Sequence, residues 1–208
     1  FRSEHPCERK CRRTILDEAV NIRGLKKYAV DAAAADTVAT PEVNVKTGKK
    51  IAVVGGGPTG LTAAYYLSLM GHEVEVYEEH EKLGGMLRYG IPEYRLPKAR
   101  LDQDIKAILN AGDIKVHYGT KIGRDISFED IRQSHDAVYI GIWAQIVNRM
   151  PMENADAVNV VPAADFLQEV ANGRPRDLTG KKVVLIGGGN VAMDAARTAV
   201  RLKAESIH

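Results

Sequence analysis

Cysteine, net charge and long apolar runs are all scarce in this sequence of 208 residues. Only two cysteines occur, close together near the start, so there is no disulfide framework and we predict a reducing, cytoplasmic setting. No apolar run approaches the roughly 18 residues of a membrane-spanning helix, and no signal-peptide core follows the first residue. A formal net charge of +2 gives no basic field of the kind that attracts nucleic acid.

From Lys50 onward, short apolar stretches alternate with helical patterns. Strands are predicted over 51–54, 73–77, 137–140 and 183–186. Helices, with apolar residues at helical spacing, are predicted over 61–69, 100–110, 164–169 and 191–202. This alternation predicts an α/β fold with parallel, doubly wound sheets. Because the first residue is Phe rather than Met, we also expect the chain to be a fragment of a longer polypeptide.

The first of two glycine-rich turns, residues 55–60, lies between a predicted strand and a predicted helix and has the pattern G-x-G-x-x-G. Such a turn brings backbone amides and a helix N-terminus up to a diphosphate, and an acid at the end of the next strand binds the ribose. Glu78 is that acid. The residues predicted to line the diphosphate are Gly55, Gly57, Pro58, Thr59 and Gly60.

A second turn, residues 187–192, follows the strand at 183–186 and has the pattern G-x-G-x-x-A. Asn190 is a candidate helix cap, and Asp194 is expected on the first helical turn, as a partner of the helix dipole or as a ligand. The residues predicted to approach a second diphosphate are Gly187, Gly189, Asn190, Val191 and Ala192. The choice between NAD and NADP stays open, because the chain ends before the strand end that would select between them.

The segment Leu83–Pro97, LGGMLRYGIPEYRLP, resembles one shared by the small subunit of glutamate synthase and its relatives. These relatives include the flavin half of dihydropyrimidine dehydrogenase and the large subunit of flavin-bifurcating transhydrogenases. The resemblance covers nearly the whole chain, apart from residues 32–48 and about 143–162. It implies a flavoprotein with two dinucleotide-binding domains, FAD at the first turn and NAD(P)H at the second. It also implies a helical iron–sulfur domain that passes electrons to a partner.

The same resemblance assigns roles to further residues of the first site. Gly85 and Met86 would line FAD through their backbone, and the guanidinium of Arg95 would contact the cofactor. For Arg95 a purely structural ion pair is the alternative. Tyr118 matches the end of a strand in these relatives and would contact the adenine through its backbone.

Two cysteines, Cys7 and Cys11, are candidate iron–sulfur ligands by the same resemblance, although a cluster needs more ligands than these. The alternative is a pair of free thiols. The predicted organisation is therefore the end of a helical iron–sulfur domain, a linker, the first part of an FAD-binding domain and the start of an NAD(P)H-binding domain. Their predicted bounds are 1–31, 32–49, 50–160 and 161–208.

Trp143 departs from the family pattern, because relatives carry a glycine there, close to the flavin. We interpret it as a packing residue, with a disturbed flavin site as the alternative.

The sequence as a whole predicts a flavin-dependent oxidoreductase that carries electrons between NAD(P)H and iron–sulfur centres or a partner subunit within a multi-subunit complex. A ferredoxin-like protein is one candidate for that partner. No catalytic acid or base is assigned, because hydride transfer needs none from this stretch. A non-catalytic scaffold without flavin is the main alternative. A thiol–disulfide reductase is disfavoured, because the two cysteines have the wrong spacing and place for a redox C-x-x-C motif.

Overall fold

The computed structural model divides the chain into two compact units, Phe1–Thr40 and Pro41–His208. It describes residues 5–33, 41–143, 147, 149 and 151–208. Parts of three predicted regions lie outside the described residues, namely 1–4 of the helical region, 34–40 of the linker, and 144–146, 148 and 150 of the first dinucleotide-binding region.

The first unit is built from two helices joined by a 3₁₀ turn at Arg12–Ile15. Helix α1 spans Pro6–Arg9 and helix α2 spans Ile22–Ala32. Helix α2 begins where the side chain of Asn21 accepts a hydrogen bond from the Gly24 amide, an N-terminal cap that satisfies one of the free amides.

The second unit contains a parallel four-stranded sheet in the order β3-β2-β1-β4. Its elements, in chain order, are β1 Lys50–Val54, α3 Pro58–Leu69, β2 Glu73–Tyr77, α4 Met86–Tyr89, α5 Lys98–Leu109, β3 Ile114–His117, α6 Phe128–Ser134 and β4 Ala137–Ile140. The observed α/β architecture confirms the predicted fold class.

Apolar residues cover both faces of this sheet. On one face, Val53, Val74 and Val76 are fully buried in a cluster that also contains residues of α3 and α5. On the other face, Ile131 of α6 packs with Ala52 and Tyr77. Full burial of each such side chain contributes roughly 1.5–3 kcal/mol. The sheet is therefore held in place from both sides, and the strand ends that carry the first glycine-rich turn are fixed.

A smaller parallel pair of strands follows, with β5 at Lys182–Val183 and β6 at Ser206–Ile207. Helix α7 spans Ala163–Ala171 and helix α8 spans Asn190–Arg201. The predicted strand at 183–186 is longer than the observed β5, which ends at Val183; beyond it, Val184 is 75% exposed and the Leu185 amide donates to the His208 carbonyl at 2.8 Å. In the described part of the chain, no helix has the length and apolar content needed to cross a bilayer.

Candidate dinucleotide site

The first glycine-rich turn lies at the topological switch point of the four-stranded sheet. The chain runs from β1 to β2 and β3 on one side and returns to β4 on the other, so the carboxyl ends of β1 and β4 border a crevice. After β4, the Gly141 amide donates to the Val54 carbonyl at 2.8 Å. A Cβ on Gly141 would lie only 3.1 Å from the backbone of Gly60. This crevice is where open α/β sheets bind ligands.

Gly60 allows helix α3 to start directly against the turn. A Cβ on Gly60 would lie 1.8 Å from the carbonyl oxygen of Gly55, so no other residue fits without moving the backbone. The first bond within the helix runs from the Leu61 amide to the Gly57 carbonyl at 2.9 Å. The amides of Thr59 and Gly60 come before it and have no acceptor within the helix. Free amides at a helix start, together with the aligned peptide dipoles, are suited to an anion.

A second glycine pair, Gly84 and Gly85, closes the other side of the turn. The Gly84 amide donates to the Gly56 carbonyl at 2.9 Å. Gly85 has φ 49°, and a Cβ there would lie 2.8 Å from the Cα of Gly57. Met86 follows as the first residue of α4. Backbone therefore faces backbone around the turn, and this cradle without side chains fits the diphosphate of a dinucleotide.

Glu78, directly after β2, is buried with 5% exposure. Its Oε2 accepts the Gly56 amide at 2.8 Å, while Oε1 accepts the amide and Nδ1–H of His80 at 2.9 and 2.7 Å. A carboxylate offers about four acceptor positions, so these three donors leave room for a ribose hydroxyl. Tyr118 lies nearby after β3, since the amide of Thr120 donates to the Glu78 carbonyl at 2.9 Å.

Hydrogen bonds of Lys98 hold the segment Leu83–Pro97, which carries the family resemblance. The Lys98 ammonium donates to the carbonyls of Leu87 and Ile91 at 2.9 and 2.5 Å. The Glu93 carboxylate accepts the Lys98 amide at 3.1 Å. Burial lowers the pKa of Lys98. These bonds fix the backbone between α4 and α5, which carries Tyr94 and Arg95.

Arg95 forms an ion pair with Asp194 of α8, Nη1 to Oδ2 at 2.5 Å. The Tyr94 hydroxyl donates to the same carboxylate at 3.3 Å, and the guanidinium carbons of Arg201 and Arg197 lie 3.9 and 4.5 Å from the Tyr94 ring centroid. The structural ion pair considered for Arg95 is thus present, and a FAD contact by its remaining N–H groups stays a prediction. Asp194 lies beyond the first turn of α8, so the expectation that it serves the helix dipole is wrong.

The second glycine-rich turn is much more open. Gly187 has φ 123°, and a Cβ on Gly188 or Gly189 would meet nothing within 4 Å. Gly189 is the N-cap of α8, so the proposed capping role of Asn190 is wrong: Asn190 is already the first helical residue. Val191 is exposed, whereas Ala192 is buried.

Trp143 and Cys7 lie at the surface, whereas Cys11 is partly buried. The Trp143 side chain is 66% exposed, which contradicts its interpretation as a packing residue, and residues 144–146 beyond it lie outside the described part of the chain. Cys7 lies in α1 and is exposed. Hydrogen bonds from the backbone of Val20 and Arg13 lower the pKa of Cys11. Across the described residues, no group of three or more His, Cys, Asp or Glu side chains could hold a metal ion. Two thiols do not complete a cluster site.

Glu75, in the middle of β2, is a buried charged residue that the sequence analysis did not consider. Its carboxylate accepts hydrogen bonds from Lys50, Tyr77 and His117 at 2.7, 2.8 and 2.7 Å. Burial by itself would raise the pKa of Glu75, but these bonds outweigh it and lower the pKa to about 2. The sequence did contain a signal for this residue, namely an acid at an inward position of a strand. A buried carboxylate requires hydrogen-bond or charge partners.

Comparisons with known proteins agree with this geometry. Residues 53–108 match the family described as an NAD(P)-binding Rossmann-like domain. The beta subunit of the NADPH-Fe(3+) oxidoreductase of Geobacter sulfurreducens is 42% identical over 97% of this chain and 30% of its own length. The small chain of the NADPH glutamate synthase of Bacillus subtilis is 36% identical over 98% of this chain and 43% of its own length.

Solved structures share the fold. Mycobacterium tuberculosis FprA in complex with NADPH superposes with a TM-score of 0.64 and 22% identity, over 72% of this chain and 36% of that one. The chain thus spans less than half the length of these relatives and of this structure. Across nearly its whole length, the chain is similar to subunits of NAD(P)-dependent oxidoreductases, among them the small chain of glutamate synthase.

Proposed function

We propose that this chain is the FAD-binding part, and the beginning of the NAD(P)H-binding part, of an oxidoreductase subunit that carries electrons from NAD(P)H to a partner. The observation that carries the proposal is the cradle at the switch point. Two glycine pairs face each other there, the start of α3 points into the turn, and a buried carboxylate closes the next strand. This combination suits one long dinucleotide better than a simple phosphate.

FAD, when bound, supplies a flavin that accepts a hydride and releases single electrons. The chain supplies binding and orientation. The amides of Thr59 and Gly60 face the diphosphate, Glu78 accepts from a ribose hydroxyl, and the backbone at Gly85 and Met86 lies along the cofactor. Arg95 donates to FAD from the side opposite its Asp194 contact, and the backbone at Tyr118 borders the adenine.

The second turn is proposed as the NAD(P)H site. Gly187 and Gly189 permit close approach of the diphosphate, and the first amides of α8, from Asn190 to Ala192, face it. The ion pair between Asp194 of α8 and Arg95 connects this helix to the segment beside the first site.

The partner is proposed to be another subunit of an electron-transfer complex, in the cytoplasm. Several relatives carry the words subunit or small chain in their names, which supports assembly with other chains. Cys7 and Cys11 are proposed as two ligands of an iron–sulfur cluster whose remaining ligands come from elsewhere. No step of the proposed reaction is derived through that cluster. In this proposal, a ferredoxin-like protein is one candidate for the partner that accepts the electrons.

A scaffold without flavin is the second candidate, and Trp143 favours it. Trp143 is exposed and stands where relatives carry a glycine, two residues after Gly141, whose backbone lies against Gly60.

Flavin binding by the full chain separates the two candidates. We expect purified protein to bind one FAD and its visible absorbance to bleach on anaerobic addition of NADPH or NADH. Glu78→Gln should weaken FAD binding at least about 10-fold, because a charge-assisted hydrogen bond is lost. The control Glu129→Gln removes an exposed carboxylate that pairs with Arg132 on α6, and should leave affinity unchanged. Wild-type protein that takes up no FAD would support the scaffold.

A further inference from the structure

The imidazole of His80 lies between the Glu78 carboxylate and helix α7. Its Nδ1 is 2.7 Å from Oε1 of Glu78, and its Nε2 is 3.2 Å from the side-chain amide nitrogen (Nε2) of Gln168. The ring of Tyr89 stacks on it at a centroid distance of 4.4 Å and an interplanar angle of 29°. The Tyr89 hydroxyl is itself anchored on the Lys82 carbonyl at 3.1 Å. The imidazole is thus held at both nitrogens and on one face.

These contacts select one tautomer of His80. A carboxylate only accepts hydrogen bonds, so Nδ1 must carry the proton that it shares with Glu78. The side-chain amide nitrogen of Gln168 only donates, so Nε2 must accept. Both contacts are satisfied when Nδ1 donates to Glu78 and Nε2 accepts from Gln168. Gln168 thereby fixes which nitrogen of His80 faces Glu78.

We infer that His80 and Gln168 are positioning residues for Glu78, so that α7 helps to shape the first nucleotide site. The inference rests on the proposed function, in which Glu78 binds the ribose of FAD. Gln168 lies 88 positions from His80 in sequence and within the region proposed to begin the NAD(P)H-binding part. The nicotinamide half of the protein therefore supports the ribose contact of the flavin half through one side chain.

Substitutions at His80 separate positioning from simple packing. We expect His80→Ala to weaken FAD binding by about 10-fold, because one hydrogen bond to a charged carboxylate is lost while the backbone donors remain. His80→Asn places an amide donor near the Nδ1 position and should restore most of the affinity. His80→Gln places its amide near the Nε2 position and should not. Equal affinities for the Asn and Gln variants would overturn the inference.

Coupling to Gln168 provides the second test. Gln168→Ala should weaken FAD binding about 3-fold in wild-type protein, and it should have no effect in the His80→Asn background, where the acceptor is already absent. Gln133→Ala removes another helical glutamine, one that donates to Glu129 on α6, and serves as the matched control with unchanged affinity. An equal loss from Gln168→Ala in both backgrounds would contradict the proposed link.

Nitrogen NMR of the imidazole tests the inference without flavin. In the full chain at neutral pH, the His80 signals should show a protonated Nδ1 and an unprotonated Nε2. In the Gln168→Ala variant, the signals should show a mixture of the two tautomers. The reverse tautomer would overturn the inference. Wild-type protein that binds no FAD would defeat the proposed function together with this inference. Normal FAD binding that is insensitive to His80→Ala would defeat the positioning role alone.

Discussion

The two glycine-rich turns share one pattern but differ in their surroundings. At the first turn, a Cβ on Gly60 would collide with backbone, and three neighbouring segments lie within contact distance. At the second turn, a Cβ on Gly188 or Gly189 would meet nothing. The first turn follows a five-residue strand in a four-stranded sheet, whereas the second follows a two-residue strand in a pair. The same glycine pattern thus occurs at two turns whose surroundings differ within the described residues.

Within the part of the chain described, the backbone at the first turn is held by contacts on several sides, whereas few contacts surround the second turn. Preorganised donors bind a ligand without an additional cost of ordering the loop. The contacts of Arg95 and Tyr94 with α8 tie the open turn to the closed one. The following predictions test this contrast, from the largest expected effect to the smallest.

Adding a methyl group should affect the two turns very differently. Gly60→Ala places a Cβ 1.8 Å from a carbonyl oxygen and should lower the free energy of unfolding by about 3 kcal/mol or more, with loss of FAD binding. Gly188→Ala, in open space, should change it by less than about 0.5 kcal/mol. Urea unfolding of both variants measures the difference. Similar losses in the two variants would remove the contrast.

Glu75 should make the first sheet sensitive to acid. Its pKa is lowered from 4.5 to about 2, so its contribution is fully present above pH 4.5 and is lost as the pH falls toward 2. A shift of this size corresponds to about 3 kcal/mol of stability. Urea unfolding between pH 5 and pH 2.5 should therefore show a much flatter profile for Glu75→Gln than for wild type.

The control for this pH profile is Glu205→Gln, which removes an exposed carboxylate of the second sheet whose oxygen lies 3.9 Å from Lys182. Exposed ion pairs contribute little, so its profile should follow that of wild type. A wild-type profile that Glu75→Gln leaves unchanged would show that the buried carboxylate is not stabilised by its partners.

Breaking the pair between Arg95 and Asp194 should cost about 2 kcal/mol, less than a fully buried pair because Arg95 is one-fifth exposed. Asp194→Asn and Arg95→Met should both lower stability in urea unfolding. Only Arg95→Met should also weaken FAD binding, since Asn at 194 leaves the guanidinium in place. Equal effects of both variants on FAD affinity would reduce Arg95 to a structural residue.

The open turn should accept a side chain at little cost. Gly189→Ser introduces a capping hydroxyl at the start of α8, where the backbone is extended and space is free. We expect a gain of a few tenths of a kcal/mol in stability. NADPH affinity should fall, because the side chain occupies the approach to the helix. Fluorescence titration with NADPH gives the affinity, and an unchanged value would argue against a nucleotide at this turn.

Sequence patterns predicted the parts of this protein that depend on neighbours along the chain. The strands at 73–77 and 137–140 have the predicted bounds, because the first alternates acidic and apolar residues at the period of a strand and the second is a short run rich in strand-forming residues. Strand β3 and helix α6 were not predicted: the alternation in Ile114–His117 is short, and α6 buries only Ile131.

The contacts that shape the site were the harder part. Spacing alone identified the turn and placed Glu78 beside it, since both lie at strand ends of one sheet. The pairing of Gln168 with His80 and of Asp194 with Arg95 joins residues 88 and 99 positions apart. Such pairs depend on how helices pack on the sheet, which no local pattern in a single sequence encodes. Glu75 was overlooked for the same reason, because its partners come from two neighbouring strands.

Amide hydrogen exchange with and without FAD tests the central claim most directly, since it reports on each turn separately. The account predicts that FAD slows exchange at Gly55–Leu61 and at Gly84–Gly85, and leaves Gly187–Val191 unchanged. Protection confined to 187–191, or no protection at 55–61 at saturating FAD, would contradict the assignment of the flavin nucleotide to the first turn.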